Sequence, residues 1–158
     1  MKLILYSLIL LFTCVSCAAS NSKKGDFDLS PPFMVTDRTN KVHDIRALLD
    51  SGKLVLLTFW QPWCSSCKEE APKVEALYEK HREKLSVFGV LSGPADAVDA
   101  SGVERFKRLT GITYPNIRDS QVALTNRFHV RVVPTLILFQ GNKVLYHGSQ
   151  VSDLEPYL

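Results

Sequence analysis

The chain has 158 residues, 46% apolar and 22% charged, which is an ordinary globular balance and fits one domain once processing is allowed for. Its formal charge of +3 is small and its basic residues are scattered. That distribution argues against a nucleic-acid partner.

Met1-Lys2 is followed by the apolar run Leu3 to Phe12, one basic residue ahead of a short hydrophobic stretch. This is a signal-peptide pattern, and the run is too short to span a bilayer. Thr13-Cys14-Val15-Ser16-Cys17-Ala18 comes next. Small residues before a cysteine, directly after an apolar run, resemble a bacterial lipobox. The resemblance implies cleavage before Cys17 and lipid on its thiol, although Cys14 stands where Leu is usual. Simple secretion is the alternative. Residues 1–16 are therefore expected to form a lipoprotein-type signal peptide. Residues 17–26, small and polar with Ser20, Asn21, Ser22 and Gly25, are expected to form a flexible tether. Residues 27–158 are left as the folded domain. The expected location is periplasmic or otherwise extracytoplasmic, with the membrane reached through the lipid anchor. Ala18 rather than Asp after Cys17 favours the outer membrane if the host has one.

Along the domain, Phe33-Met34-Val35 is a short strand candidate, and Val42 to Leu49 a strand end running into a brief helix. Lys53 to Trp60 is a near-continuous apolar run, as expected of a central strand covered on both faces. Cys64 to Lys84 reads as a helix, with Val74, Leu77 and Tyr78 at helical spacing and Pro72 predicting a kink. Leu85 to Leu91 is a second buried strand. Val103, Phe106 and Leu109 mark the apolar face of a helix that Gly111 ends. Tyr114 to Ile117 is a short extended piece, and Asp119 or Ser120 can cap a helix through Phe128. Thr135 to Phe139 and Lys143 to Tyr146 flank Gln140-Gly141-Asn142, a hairpin signal. Any last helix after Ser152 is short. Strands alternating with helices and ending in a hairpin predict an α/β fold with a mixed sheet.

The chemistry concentrates in Trp60-Gln61-Pro62-Trp63-Cys64-Ser65-Ser66-Cys67, where a buried strand gives way to a helix. A thiol at a helix N-terminus faces the positive end of the dipole and unpaired N–H groups, which favour the thiolate. Three-residue spacing on a helix brings the second sulfur within bonding range. Cys64 is therefore expected to be the exposed nucleophile and Cys67 the shielded resolving thiol. Of the four cysteines, Cys14 would leave with the signal and Cys17 would carry lipid, so Cys64 and Cys67 remain as the redox pair. Zinc needs four ligands, and the mature chain has no second CxxC or paired-histidine spacing. His43, His81, His129 and His147 are scattered. No metal and no cofactor is expected. A structural disulfide is the other reading, but so short a loop restrains the unfolded chain little.

Taken together, Phe59-Trp60, Trp63 to Cys67, Glu70-Ala71-Pro72, Tyr114-Pro115 and Val133-Pro134-Thr135 resemble the thioredoxin superfamily, in its exported TlpA/ResA-like branch. The likeness covers about residues 27 to 150. It implies a thioredoxin fold: a mixed central sheet flanked by helices, an N-terminal β extension, and a strand–helix insertion between Ser92 and Ile117. It also implies that Pro134 is cis beside the cysteines, where Val133 and Pro134 help bind the substrate backbone. Trp60 and Trp63 read as packing residues, with Trp63 partly exposed beside Cys64 and counted in the substrate-binding set. Glu70 stands where this branch places a glutamate that influences the protonation of the pair, while Thr58 takes the place of thioredoxin's buried aspartate. A helix puts Glu70 one turn beyond Cys67, partly solvated, where it could accept a proton from that thiol. Glu69 reads as a solvated first-turn acid.

The activity implied is thiol–disulfide exchange with protein disulfides and thiols, most simply reduction of exported proteins. An upstream membrane thiol reductant would recharge the pair. Cytochrome c maturation is among the roles such a likeness carries. The alternatives are a disulfide donor and a redox-linked copper- or metal-handling protein. Ser66 replaces a frequent Pro before the second cysteine, and that dipeptide tunes the redox direction.

Overall fold

In the computed structural model, which describes residues 27–93 and 99–158, the chain begins with an antiparallel hairpin, β1 (Met34–Thr36) and β2 (Val42–Asp44). The expected signal peptide, the lipidation site Cys17 and the tether lie outside the described residues. Asp37 organises the hairpin turn. Its carboxylate accepts from the Thr39 N–H (2.7 Å), the Thr39 hydroxyl (2.6 Å) and the Lys41 N–H (3.1 Å), and its other oxygen lies 2.7 Å from His43 Nε2. Asp37 also bridges to Ile117, so the hairpin is fastened to the sheet edge. Strand β2 runs directly into α1 (Ile45–Asp50), because Asp44 caps the helix by accepting the Ala47 N–H at 2.9 Å.

The central strand β3 (Leu54–Trp60) is buried along its whole length. Its alternation is hidden by being apolar on both sides. Leu54, Leu56 and Trp60 face one core, with Val74, Val103 and Phe106. Val55, Leu57 and Phe59 face the other, with Phe33, Ile45 and Phe128. The chain continues through α2 (Ser65–Lys80), β4 (Leu85–Ser92), α3 (Ala100–Thr110), β5 (Asn116–Asp119), α4 (Ala123–Arg127), β6 (Thr135–Gln140), β7 (Lys143–Gly148) and a closing 3₁₀ helix (Val151–Tyr157). The five-stranded sheet has the order β5-β4-β3-β6-β7. Strands β3, β4 and β5 pair in parallel, while β6 and β7 are antiparallel additions. This is the mixed sheet of a thioredoxin fold, with β1–β2 as the N-terminal extension and α3–β5 as the inserted helix and strand. Among the described residues, no helix is long and apolar enough to cross a membrane.

Two local expectations are corrected. Helix α2 runs unbroken through Pro72 but ends at Lys80, not Lys84. The Lys84 carbonyl instead accepts the Leu54 N–H at 2.8 Å, which draws residues 81–84 into a turn at the head of β4. The second correction is in α3, where the inward face is Val103, Phe106 and Thr110, and Leu109 is 69% exposed. The Thr110 hydroxyl tolerates burial by donating to the Phe106 carbonyl at 2.8 Å. The expected capping of α4 by Asp119 is found, although Val122, at φ +51°, is the residue directly before the helix and offers no side-chain acceptor. Asp119 serves from further back, accepting the Leu124 and Thr125 N–H groups at 3.1 and 2.8 Å.

Candidate active site

The end of β3 is held rigidly. The Trp60 indole stacks on Phe106 with centroids 4.0 Å apart, and its Nε1–H donates to Asn116 Oδ1 at 3.1 Å. Asn116 in turn donates from Nδ2 to the Tyr114 carbonyl at 2.7 Å. Gly89 lies on the neighbouring strand where a Cβ would fall 2.1 Å from Asn116 Oδ1 and 2.7 Å from Trp60 Nε1. Glycine is needed there for close approach, not for an unusual backbone angle. Trp60 is thus a packing residue, as expected.

From this fixed strand end, Gln61–Trp63 turn the chain into α2, with the Cys64 N–H donating to the Gln61 carbonyl at 3.1 Å. Cys64 is the N-cap of α2, and its sulfur accepts the Cys67 N–H at 3.1 Å. Ser66 Oγ lies 3.7 Å from the same sulfur. Cys64 and Cys67 form a disulfide with Cα atoms 5.2 Å apart, ordinary spacing for such a bond. Cys64 is 5% exposed and Cys67 1%, so Cys64 is recessed rather than exposed as expected, though it is the less covered of the two. The Val133 carbonyl oxygen is 3.6 Å from Cys64 Sγ, and the Val133–Pro134 peptide is cis. The fold therefore brings Trp63, Cys64, Cys67, Val133 and Pro134 together.

Glu70 departs from its expected setting. It is 5% exposed rather than partly solvated, because the inward face of α2 is Cys67, Glu70, Ala71, Val74 and Leu77. Its Oε2 accepts the Val151 N–H at 2.8 Å and its Oε1 accepts Lys73 Nζ at 2.6 Å. Both oxygens are occupied by donors from outside the cysteine pair. Glu69 is exposed, as expected, but it lies beyond the first turn of α2, which holds no acidic residue. Thr58 is buried on β3.

Trp63, by contrast, is not a packing residue: it is 71% exposed, in neither core, and separates two hollows. One, of about 440 Å³, lies between Trp63 and Val130–Val133, with Gln61, Ser92 and Thr125 as its polar lining. The other, of about 350 Å³, lies between Trp63 and α3, bounded by Pro62, Lys68, Gly102 and Arg105. Gln61 Nε2 donates to the Ser92 carbonyl, while its buried Oε1 has no partner among the described residues. Sequence reasoning gave no role of their own to Gln61, Lys68, Arg131 and Val132. Arg131 and Val132 could have been found from their position just before Val133-Pro134. Lys68 carries no such signal. Among the described residues, no three of His, Cys, Asp and Glu are grouped as they would be to hold a metal ion.

Comparison with known proteins adds a second line of observation. A model of the AhpC/TSA family matches residues 27–147. The thiol-disulfide oxidoreductase ResA of Geobacillus kaustophilus is 32% identical over 134 residues, covering 82% of this chain and 74% of that protein. A putative thioredoxin from Neisseria meningitidis superposes with a TM-score of 0.67 at 25% identity, over 81% of this chain and 83% of that one. StoA from Bacillus subtilis superposes with a TM-score of 0.64 at 21% identity, covering 79% and 94%, a likeness of fold.

Proposed function

Because the chain belongs to the AhpC/TSA family and is a thiol–disulfide oxidoreductase, we propose that it works as a reductant of exported proteins, with Cys64 attacking and Cys67 resolving. The observation that carries this reading is the Cys64 sulfur at the N-cap of α2, receiving the Cys67 N–H at 3.1 Å. Once the pair is reduced, that donor and the helix dipole favour negative charge on Cys64. The Cys64 thiolate attacks one sulfur of a client disulfide, forming a mixed disulfide and releasing the other client sulfur as a thiolate. Cys67, deprotonated, then attacks Cys64 Sγ and closes the bond seen here, releasing the second client sulfur. Two electrons and two protons pass from the pair to the client. A dithiol reductant at the membrane must return the pair to its reduced form.

Trp63, Val133 and Pro134 form the client's seat in this reading, with the Val133 carbonyl beside the reacting sulfur at 3.6 Å. Glu70 is assigned the proton of Cys67 during resolution, supported by its place on the same inward face of α2. The signal pattern and lipobox-like residues support an extracytoplasmic protein anchored through Cys17, at the outer membrane in a host that has one. Cytochrome c maturation, in which a CxxCH thiol pair must be free to take haem, is one process such a reductant serves.

The deciding measurement is the reduction potential of the Cys64–Cys67 couple against a thiol redox buffer. A reductant should lie near the thioredoxin value of about −270 mV, and a donor near the about −120 mV of a strong oxidant. A value at the oxidising end would overturn the direction. Tight copper binding by the purified chain without disulfide exchange would favour the metal-handling alternative.

A further inference from the structure

If the pair is a client reductant, we infer that its clients present acidic residues on both sides of the reacting cysteine. The argument starts from Trp63, whose exposed ring walls both hollows, so that a chain crossing Cys64 must pass over or around it. Each hollow has a cationic rim. Arg131 bounds the one beside Val132 and Val133, while Lys68 and Arg105 bound the one beside α3.

Several other cations are paired with carboxylates. Lys73 is paired with Glu70, Arg46 with Asp50, Arg82 with Glu79 and Arg38 with Glu104. No salt bridge of the described residues engages Lys68, Arg105 or Arg131, and all three are exposed. Among the described residues, Asp99 is the one acid lining either hollow, where it caps α3 and interacts with the charge of Arg105. It accepts the Ser101 and Gly102 N–H groups at 3.0 Å each and the Ser101 hydroxyl at 2.5 Å. Glu69 is turned away, since positions 67, 70, 71 and 74 face inward and residue 69 falls on the opposite side of the helix.

The positive end of α2 adds to the same field. Apolar side chains, Trp63 and Val132, stand exposed between these cations. Such a surface matches an extended segment with apolar contacts next to its cysteine and carboxylates a few residues out on each side. Opposite potentials of this kind raise encounter rates and set the register of docking.

The test uses reduced full-length mature protein and two synthetic peptides, each with one central cysteine capped by 2-mercaptoethanol as a mixed disulfide. One carries Glu on both flanks and the other Lys at the same positions. Rates are divided by those with free 2-mercaptoethanol, which removes the intrinsic effect of the flanks on the cysteine. At low salt the Glu peptide should be reduced about tenfold faster, the lower end of electrostatic steering. The ratio should approach one in about 1 M NaCl, where the Debye length is about 3 Å. The double variant Lys68→Glu/Arg131→Glu should invert the preference. A normalised ratio of one at low salt, with both peptides reduced, would overturn the inference and leave the reductant reading standing. Reduction of neither peptide would remove both. Tight binding to vesicles rich in phosphatidylglycerol without peptide discrimination would assign the cations to a membrane surface instead.

Discussion

Glu70 Oε2 accepts the Val151 backbone N–H at 2.8 Å, across 81 positions of sequence, and thereby pins the redox helix to the closing 3₁₀ helix. The carboxylate that stands one turn past Cys67 is therefore a tertiary clamp as well as a candidate proton acceptor. Glu70→Gln keeps the shape but replaces a charged acceptor by a neutral one. Hydrogen bonds to charged groups contribute about 1.5–3 kcal/mol, so the variant should lose on the order of 1 kcal/mol in urea unfolding. Its pH profile of thiol reactivity should also move, with exchange slowed about ten- to a hundredfold for one general acid–base group. A stability loss with an unmoved pH profile would leave Glu70 a clamp alone. Glu69→Gln, on the exposed side of α2, should change neither quantity.

Reduction of the pair should expose a clear asymmetry between its sulfurs. Cys64 is the less covered and has the Cys67 N–H and the Ser66 hydroxyl nearby, whereas Cys67 is buried on the inward face of α2. With limiting iodoacetamide at neutral pH, Cys64 should alkylate at least about tenfold faster, because thiolate fraction and access both favour it. Peptide mapping by mass spectrometry reads the ratio directly. Preferential modification of Cys67 would reverse the assigned roles.

The parts of this fold that were legible in sequence are those where one local pattern has one structural outcome. The run from Leu54 to Trp60 is apolar on both faces because each face of the strand meets its own core. The CxxC at the junction of β3 and α2, and the Val133-Pro134 pair, carry their chemistry in a few adjacent residues. Glu70 was misjudged because its environment is set by Val151, which no window around α2 contains. Val122 was not anticipated at φ +51°, since a β-branched residue avoids the left-handed region unless tertiary contacts impose it. Arg131 and Lys68 acquire meaning only when folding sets them on either side of Trp63.

The membrane assignment has its own variant. Cys17→Ser removes the thiol that the lipobox-like residues would offer for lipidation, so the protein should leave the membrane fraction or remain unprocessed. Fractionation of cells and the mass of the mature chain read this out. Unchanged membrane association of the variant would end the lipid-anchor proposal.

Acid should loosen the N-terminal hairpin through Asp37. Burial alone would raise this carboxyl, but the hydrogen bonds from His43, Thr39 and Lys41 outweigh it and hold the group well below the usual carboxylate range. A depressed folded value means stability that is complete above the unfolded value of about 3.9 and is lost as pH falls below it. Asp37→Asn removes that linkage. The variant should therefore be less stable than the parent near pH 7, and the gap should narrow as the medium is taken to about pH 2.5, below the unfolded value. Parallel denaturation curves at the two pH values, with a constant gap, would show that Asp37 contributes no pH-dependent stability.

The most severe single change expected is Gly89→Ala. A methyl group at that position would meet Asn116 Oδ1 at 2.1 Å and Trp60 Nε1 at 2.7 Å, the two atoms of a buried hydrogen bond. Neither partner has room to yield. Trp60 is stacked on Phe106, and Asn116 is held by the Tyr114 carbonyl while its backbone pairs with Gly89 across β4 and β5. The substitution must either displace the strand or break the bond and leave a buried indole N–H unpaired. Overpacking costs about 1–3 kcal/mol, and an unsatisfied buried donor costs about the same again. A loss of roughly 3 kcal/mol or more in chemical unfolding is expected, large against the marginal stability of a domain this size. Because Trp60 ends the strand that leads into Cys64, the damage should reach the site: the variant's alkylation ratio between Cys64 and Cys67 should fall towards one. Asn116→Ala in the Gly89→Ala background removes the atom that clashes most severely. It should recover part of the lost stability, even though Trp60 Nε1 then lacks its acceptor. No recovery in the double variant would place the cost of Gly89→Ala elsewhere than in this contact.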